Sequence, residues 1–556
     1  MVTLRSMGER ALLAEVDDLA DVLALHAALA EAPPPGIGDL VPAARTVLVA
    51  FDPARIAPAA VRAWVLSAAT SAPHAAQPGP LVEIPTLYDG ADLDETAALL
   101  GIPVPRLIAL HAAARWRVAF TGFAPGFAYL VSDDWTVDVP RLAQPRTRVP
   151  AGSVGLAGEF SGAYPRETPG GWRVIGTTDA PLFVPDATHP VLLTPGARVR
   201  FTPERPRIVT ATGGDSASGG PDAAAASSPR GSSSRPQLPL RAGAVVAGGP
   251  GAGGGPVTAA ASSRPPVPSA AHASQLVVLA PGAFATVQDL GRPGRAAIGV
   301  ARSGALDREA LRIANRLVGN AESAAGVEIV LGGFRARAER PTWVAVTGSH
   351  ADLRVDGRAV DAYEPLLLSA GAELSIGIAR AGARLVLAVR GGLTVPLSLG
   401  SASTDVLASL GPRPLRAGDR LTTGTAAHPI PVVDSFPWSV PGSVVDVDLA
   451  PGPRADWFAS DARRTLRDAT WTVSSDADRV GIRLDGPALT RTRHDELASE
   501  GMRPGALQVP PHARPVVLLA DGPVTGGYPV IAVVTDATLD RLAQVRPGDR
   551  VRFRGI

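Results

Sequence analysis

The feature that most restricts what this chain can fold into is a break near its middle. From about Thr212 to Ser274 the sequence has almost no aromatic or large apolar side chains, and it carries Gly213-Gly214-Asp215-Ser216 and the run Gly248-Gly249-Pro250-Gly251-Ala252-Gly253-Gly254-Gly255-Pro256. Such a stretch cannot bury enough apolar surface to offset the entropy of ordering it. It reads as a disordered Gly/Pro/Ser/Ala linker over 206–275. A coil of about 60 residues has a root-mean-square reach of ~43 Å at ~5.5 Å × √n. Two folded halves are therefore expected, held at high effective concentration.

Hydrophobic periodicity subdivides the halves. Ala11 to Val16 and Thr46 to Phe51 read as short strands, and Leu19, Val22, Leu23 and His26 recur at helical spacing behind Asp17 and Asp18. Val61, Trp64, Val65 and Ala68 mark a second amphipathic helix, so residues 1–80 are expected to form a small α+β domain. Leu81 to Tyr88 predicts a strand, and Leu93 to Leu100 and Val104 to Ala114 predict helices. After Trp116, short β-like runs alternate with Gly and Pro turns as far as Phe201, the pattern of a closed or nearly closed barrel over 81–205. The second half is mainly of this β type, interrupted by one clear helix at Arg308 to Val318. It divides into lobes at 276–425 and 426–556.

Internal similarity supports the division. Pro195-Gly196-Ala197-Arg198-Val199-Arg200-Phe201 ends the first half, Pro547-Gly548-Asp549-Arg550-Val551-Arg552-Phe553 ends the second, and Ala417-Gly418-Asp419-Arg420-Leu421 falls where a lobe could end between them. Ser161-Gly162-Ala163-Tyr164-Pro165 likewise echoes Thr525-Gly526-Gly527-Tyr528-Pro529. Together these predict about three related β lobes.

Composition excludes whole chemistries. All 53 Lys+Arg are arginine, and there is no cysteine. Schiff-base lysines, a biotinylated lysine, a P-loop lysine, thiolate zinc sites and cysteine nucleophiles are therefore ruled out on this chain. A net charge of +1 gives no reason to expect nucleic acid or an anionic membrane. The first ten residues have no apolar signal-peptide core, and no apolar run approaches the ~20 residues that span a bilayer. The expected location is cytoplasmic. None of the nine histidines has ligand spacing, so no histidine metal site is expected.

Several loops carry candidate chemistry. Phe123 to Leu130 sets three aromatics around a Pro-Gly turn, with Phe127 and Tyr129 as a candidate pocket wall or, equally, a packed core turn. Arg148 beside Gly152 and Ser153 could offer guanidinium and backbone N–H groups to a carboxylate or phosphate, and could equally be a solvated β-turn. Trp172 follows the tight turn Thr168-Pro169-Gly170-Gly171. In the second half, Gln288-Asp289-Leu290-Gly291-Arg292-Pro293-Gly294 precedes Arg302-Ser303-Gly304-Ala305-Leu306-Asp307, where Asp307 reads as a helix N-cap. Gly400-Ser401-Ala402-Ser403-Thr404-Asp405, Ser499-Glu500-Gly501 and Gln508-Val509-Pro510 place carboxylates, hydroxyls and an amide on loops. The candidates are Asp405 and Glu500 as catalytic carboxylates, and Phe127, Tyr129, Arg148, Gly152, Ser153, Trp172, Arg302, Gln508 and Tyr528 for substrate or anion binding.

Gly122 to Leu130, Val149 to Gly158, and Tyr164-Pro165 with Thr168 to Trp172 resemble the PxpB/KipI family, also called allophanate hydrolase subunit 1. Thr286 to Gly294, Ala388 to Gly392 with Gly400 to Asp405, and Leu518 to Asp521 with Thr525 to Pro529 resemble PxpC/KipA, or subunit 2. The chain resembles a fusion of the two. Departures from the pattern include Ala44, Glu159-Phe160-Ser161, Thr177 in place of an arginine, and Arg295. The resemblance implies a mainly β chain: a small α+β N-terminal domain followed by three cyclophilin-like β-barrel lobes. It also implies ATP-dependent 5-oxoprolinase activity, with ATP and Mg2+, performed together with a separate PxpA-like subunit. 5-Oxo-L-proline, ATP and water would give L-glutamate, ADP and phosphate. The resemblance leaves two alternatives, a non-catalytic regulator of a histidine kinase and a urea carboxylase-like carboxyl-transfer domain. Without lysine, the latter would need a biotinylated partner. Oligomeric state is open.

Overall fold

The first eighty residues build a four-stranded antiparallel sheet in the order Thr3–Ser6, Ala11–Glu15, Thr46–Phe51, Ile37–Pro42. The computed structural model describes residues 2–71, 79–144, 146–205, 275–432, 436, 438, 442 and 444–555. The expected linker lies outside the described residues except for Gln275, whose backbone N–H bonds to the carbonyl of Leu421. Asp18 caps the helix Leu19–Glu31 by accepting the Asp21 N–H at 2.9 Å. Side chains alternate across a strand. Leu12, Ala14, Val47 and Val49 therefore face Val22, Leu25, Leu29, Val61 and Val65 of the two helices. Ala11, Leu13 and Leu48 face the other way and pack with Met502, Ala506, Leu518, Val530 and Val533 near the chain's end. Burial on both faces explains why these strands read as continuous apolar runs rather than as alternating ones.

Two of the β lobes share one strand order. In the first, Leu81–Thr86, Arg198–Pro203, Trp116–Thr121, Ala128–Val131, Phe160–Ala163, Ser153–Ala157 and Arg173–Thr177 are neighbours in turn. In the last, the succession is Val444–Pro451, Arg550–Arg554, Thr470–Val473, Gly481–Asp485, Val516–Leu518, Ala506–Gln508 and Val530–Val534, closing back onto Val444–Pro451. The first barrel nearly closes, through a bridge between Leu87 and Thr177. In both, the final strand of the chain order runs parallel to the first and antiparallel to the second. Details repeat as well. The indole of Trp116 donates to the carbonyl of His111 at 2.9 Å, and that of Trp471 to Leu466 at 3.1 Å.

The middle lobe departs from this plan. It packs a six-stranded sheet against a five-stranded one around Val278, Ile329, Phe334, Leu374 and Leu387. Its closing strand, Arg420–Leu421, is antiparallel to Leu276–Pro281, not parallel. The sequence repeat therefore marks two matching barrels, with the third copy paired differently. The echo between Ser161–Pro165 and Thr525–Pro529 is also misaligned. The counterpart of the strand Thr525–Gly526 is Thr168–Gly170, since each pairs with a short outer strand, Glu500–Gly501 or Arg146–Val149. The helix expected at Arg308 to Val318 is present as Arg308–Leu317, capped by Asp307. A second helix, Ser460–Asp468, has no counterpart in the expectations, because its polar face leaves only Ala462 and Leu466 to mark it.

The two halves dock directly. Thr121 donates its hydroxyl to the carbonyl of Ala297, Gly126 its N–H to Ile298 at 3.1 Å, and Phe123 its N–H to the Thr525 hydroxyl at 3.2 Å. Gly122 permits this approach, since a Cβ there would fall 1.9 Å from the Thr525 Oγ1. Among the described residues no single helix is long and apolar enough to cross a membrane.

Candidate active site at the joint between the halves

The loop carrying Asp405 is shaped by Asp289, at the end of the strand Phe284–Gln288. Its carboxylate accepts from the hydroxyls of Ser401 at 2.7 Å and Ser403 at 2.5 Å and from the backbone N–H of Ala402 at 2.8 Å. Gln288 donates to the Thr404 carbonyl at 2.9 Å. The two sequence motifs that end at Gly294 and Asp405 thus interlock. Arg292 is fully buried and donates to the Ser403 carbonyl, and its Nη1 lies 3.7 Å from the Asp405 Oδ2. Asp405 Oδ1 accepts the Ala408 N–H at 2.7 Å. Asp405 Oδ2 and the Nε and Nη1 of Arg292 have no hydrogen-bond partner among the described residues.

A chain of buried charges leads to this point. Arg479 donates twice to Asp521, at 2.8 and 3.0 Å, and once to Glu328 at 2.7 Å. Asp521 also accepts from Ser303 at 2.6 Å and from the Val406 N–H at 3.3 Å, one residue from Asp405. Burial, and next the Asp521 carboxylate, push the Asp405 carboxyl up to about 6. Asp405 is therefore a carboxyl poised to exchange a proton near neutral pH, with one oxygen uncommitted.

Sequence reading misses Arg166, between Pro165 and Thr168. Its Nε and Nη1 are buried without a partner among the described residues, and Asp405 is the charge that acts on it. The first half thus holds a buried cation within the electrostatic reach of a carboxylate of the second.

The other expected residues lie elsewhere. Phe127 and Trp172 are buried against each other, Tyr164 and Tyr129, with the Phe127 and Trp172 rings 5.2 Å apart. Tyr129 stacks on Phe120 at 4.4 Å. These rings are core packing, not an open wall. Arg148 is exposed and pairs with Glu167 at 2.6 Å. The N–H groups of Gly152 and Ser153 donate to the carbonyls of Tyr164 and Pro150, so neither is available to an anion. Glu500 is held by Arg454, which also donates to Glu15 of the N-terminal domain at 2.9 Å. It belongs to a domain joint and makes no contact with Asp405. Gln508 is buried with its amide 3.4 Å from the Met502 sulfur, Tyr528 is exposed, and Arg302 reaches the Leu290 carbonyl at 3.4 Å. Among the described residues no group of three or more His, Cys, Asp or Glu could hold a metal ion.

Two family models match the chain, one in each half. Residues 298–555 match the carboxyltransferase domain, subdomains A and B, and residues 2–193 match subdomains C and D. The chain is 38% identical over 281 residues to the C subunit of 5-oxoprolinase from Escherichia coli, covering 50% of this chain and 90% of that one. This chain belongs to the carboxyltransferase-domain family of the 5-oxoprolinase subunits. The chain is also 46% identical over 127 residues to the B subunit of 5-oxoprolinase from Escherichia coli O157:H7, 22% of this chain and 58% of that one. The chain is thus a B/C-type fusion, and the crystal structure of TTHA0988 matches both halves at once. It superposes with a TM-score of 0.80 and 34% identity over 98% of this chain and 100% of that one. Urea amidolyase of Saccharomyces cerevisiae is 33% identical over 298 residues, 49% of this chain but 16% of its own length.

Proposed function

We propose that this chain is the B/C component of an ATP-dependent 5-oxoprolinase, acting in the cytoplasm with a separate PxpA-like subunit to open 5-oxo-L-proline to L-glutamate. The observation that carries the reading is the Asp405 carboxylate, buried at the joint of a B-like and a C-like half, with one of its oxygens and four guanidinium nitrogens of Arg292 and Arg166 uncommitted among the described residues. A lactam is a poor electrophile, and ATP would supply activation by phosphorylating its amide oxygen. Arg292 and Arg166 present N–H groups to the negative charge that the substrate carries into the site. Asp405 Oδ2 takes a proton from the attacking water and returns it to the ring nitrogen as the C–N bond breaks. The resulting acyl phosphate is hydrolysed by a second water, giving glutamate and phosphate.

The donor set fits an anion and does not fit Mg2+. Asp289 and Asp521 have their oxygens engaged by hydroxyls, N–H groups and Arg479, and no three carboxylates converge among the described residues. No step is assigned to a metal held by this chain.

The test is glutamate release from 5-oxo-L-proline by the purified chain with the PxpA-like subunit, with and without ATP. ATP-dependent release supports the reading, and release without ATP, or none, contradicts it. The urea amidolyase relative favours a second reading, carboxyl transfer from a biotinylated partner, for which carboxylation of urea is the corresponding assay.

A further inference from the structure

The matching strand order of the first and last barrels gives equivalent loops. In the first barrel, the connection from Phe160–Ala163 to Thr168–Gly170 carries Arg166. In the last, the corresponding connection from Val516–Leu518 to Thr525–Gly526 carries Asp521. Asp405, which belongs to neither barrel but to the middle lobe, is the charge that acts on Arg166, and Asp521 accepts from the Val406 N–H beside it. The two loops carry opposite charges and are satisfied very differently. Asp521 spends its oxygens on Arg479, Ser303 and Val406. Among the described residues, Arg166 leaves Nε and Nη1 unpaired, as does Arg292, and Asp405 leaves Oδ2 unpaired.

Buried guanidinium N–H groups are costly to leave unmade, and a separation of 3.7 Å between Arg292 and Asp405 is too long for a hydrogen bond. Two cationic forks beside one free carboxylate oxygen match a ligand with a carboxylate and, a few atoms away, an N–H donor. We propose that Arg166 and Arg292 together clamp the carboxylate of a lactam amino acid across the joint between the halves, while Asp405 accepts the ring N–H. This deepens the proposed function and rests on it for the identity of the ligand. It makes the B-like half a part of substrate recognition. Thr121, Phe123 and Gly126, whose contacts hold that half in place, become indirect determinants of affinity.

The clamp is tested by binding to the whole chain without ATP or partner, separately from turnover. The probes are 5-oxo-L-proline, 2-pyrrolidinone (the same ring without the carboxylate) and inorganic phosphate. The wild-type chain should prefer 5-oxo-L-proline to 2-pyrrolidinone. Arg166→Gln should weaken 5-oxo-L-proline roughly 30- to 100-fold, the loss of one charged hydrogen-bond pair, while leaving 2-pyrrolidinone unchanged. Arg166→Lys should recover part of the loss. In turnover, Arg166→Gln should raise KM for the lactam and not for ATP. Equal binding of the two lactams by the wild type, or undiminished preference in Arg166→Gln, overturns the clamp. So does a loss confined to phosphate binding and the ATP KM, which would make Arg166 a phosphate ligand. If the Arg166-dependent preference holds but no glutamate is released, the clamp stands and the 5-oxoprolinase reading falls. Release of glutamate with an Arg166-independent preference has the opposite meaning.

Discussion

Asp92 and Arg454 occupy the same point in two barrels of one strand order, and they carry opposite charges. The backbone N–H of Asp92 bonds to Val174 at 2.9 Å and that of Arg454 to Val530 at 3.1 Å, the last strand of each barrel. Each follows a glycine, Gly90 or Gly452, pressed onto that strand. Asp92 pairs with Arg146 at 2.5 Å, whereas Arg454 pairs with Glu500, on the equivalent outer strands. The pairing is kept and its polarity reversed. The reversal has a structural consequence, because only the cation in the last barrel can reach Glu15 and fasten the N-terminal domain.

Arg454→Leu should therefore cost more than an ordinary ion pair. Glu500 is almost fully buried and would be left without a counter-charge, a loss of about 3–5 kcal/mol. Glu500→Gln, which keeps a hydrogen-bond acceptor for Arg454, should cost clearly less. Denaturant unfolding of the two variants checks the order, and equal losses would remove the argument.

The matching indole bonds make a paired prediction. Trp116→Phe and Trp471→Phe each strand a buried carbonyl, of His111 or Leu466, and should each lose about 1–3 kcal/mol. The measurement is the shift in unfolding midpoint for each variant. A large effect in one barrel and none in the other would contradict their equivalence.

The fold is more legible in the sequence than the site. Helix Leu19–Glu31 and the barrel-closing strands Arg198–Pro203 and Arg550–Arg554 follow from periodicity and from a repeated Pro-Gly turn, both local signals. The Asp405 loop stands out because hydroxyls and a carboxylate on a Gly-led loop are locally conspicuous. Arg148, Gly152 and Ser153 are equally conspicuous, yet their bonds close within the first half or onto Glu167. No local pattern reveals that. Arg166 is invisible for the converse reason: its setting comes from Asp405 on the other half. Setting Thr168 to Trp172 against Thr525 to Tyr528, in place of the Tyr-Pro match, would have put its loop opposite that of Asp521.

Docking of the halves should be separable from folding. Gly122→Val would drive a side chain into Thr525, where even a Cβ comes within 1.9 Å. Glutamate release should be lost while far-UV circular dichroism is retained. Gly38→Ala is the control, since the nearest heavy atom to its added Cβ is 3.7 Å away, and it should stay within about 0.5 kcal/mol of wild type. Full activity in Gly122→Val would show that the joint is not part of the site.

The most direct test of the central claim is the pH dependence of kcat/KM for glutamate release by the complex of this chain with its PxpA-like partner. A base must be deprotonated to act, and burial beside Asp521 holds Asp405 near 6. The wild-type rate should therefore fall tenfold per pH unit below about 6 and level off above it. Asp405→Asn should lose at least a hundredfold at pH 8 and keep no acidic limb near 6, with binding of the partner intact. An Asp405→Asn variant that retains both the rate and the limb would contradict the account.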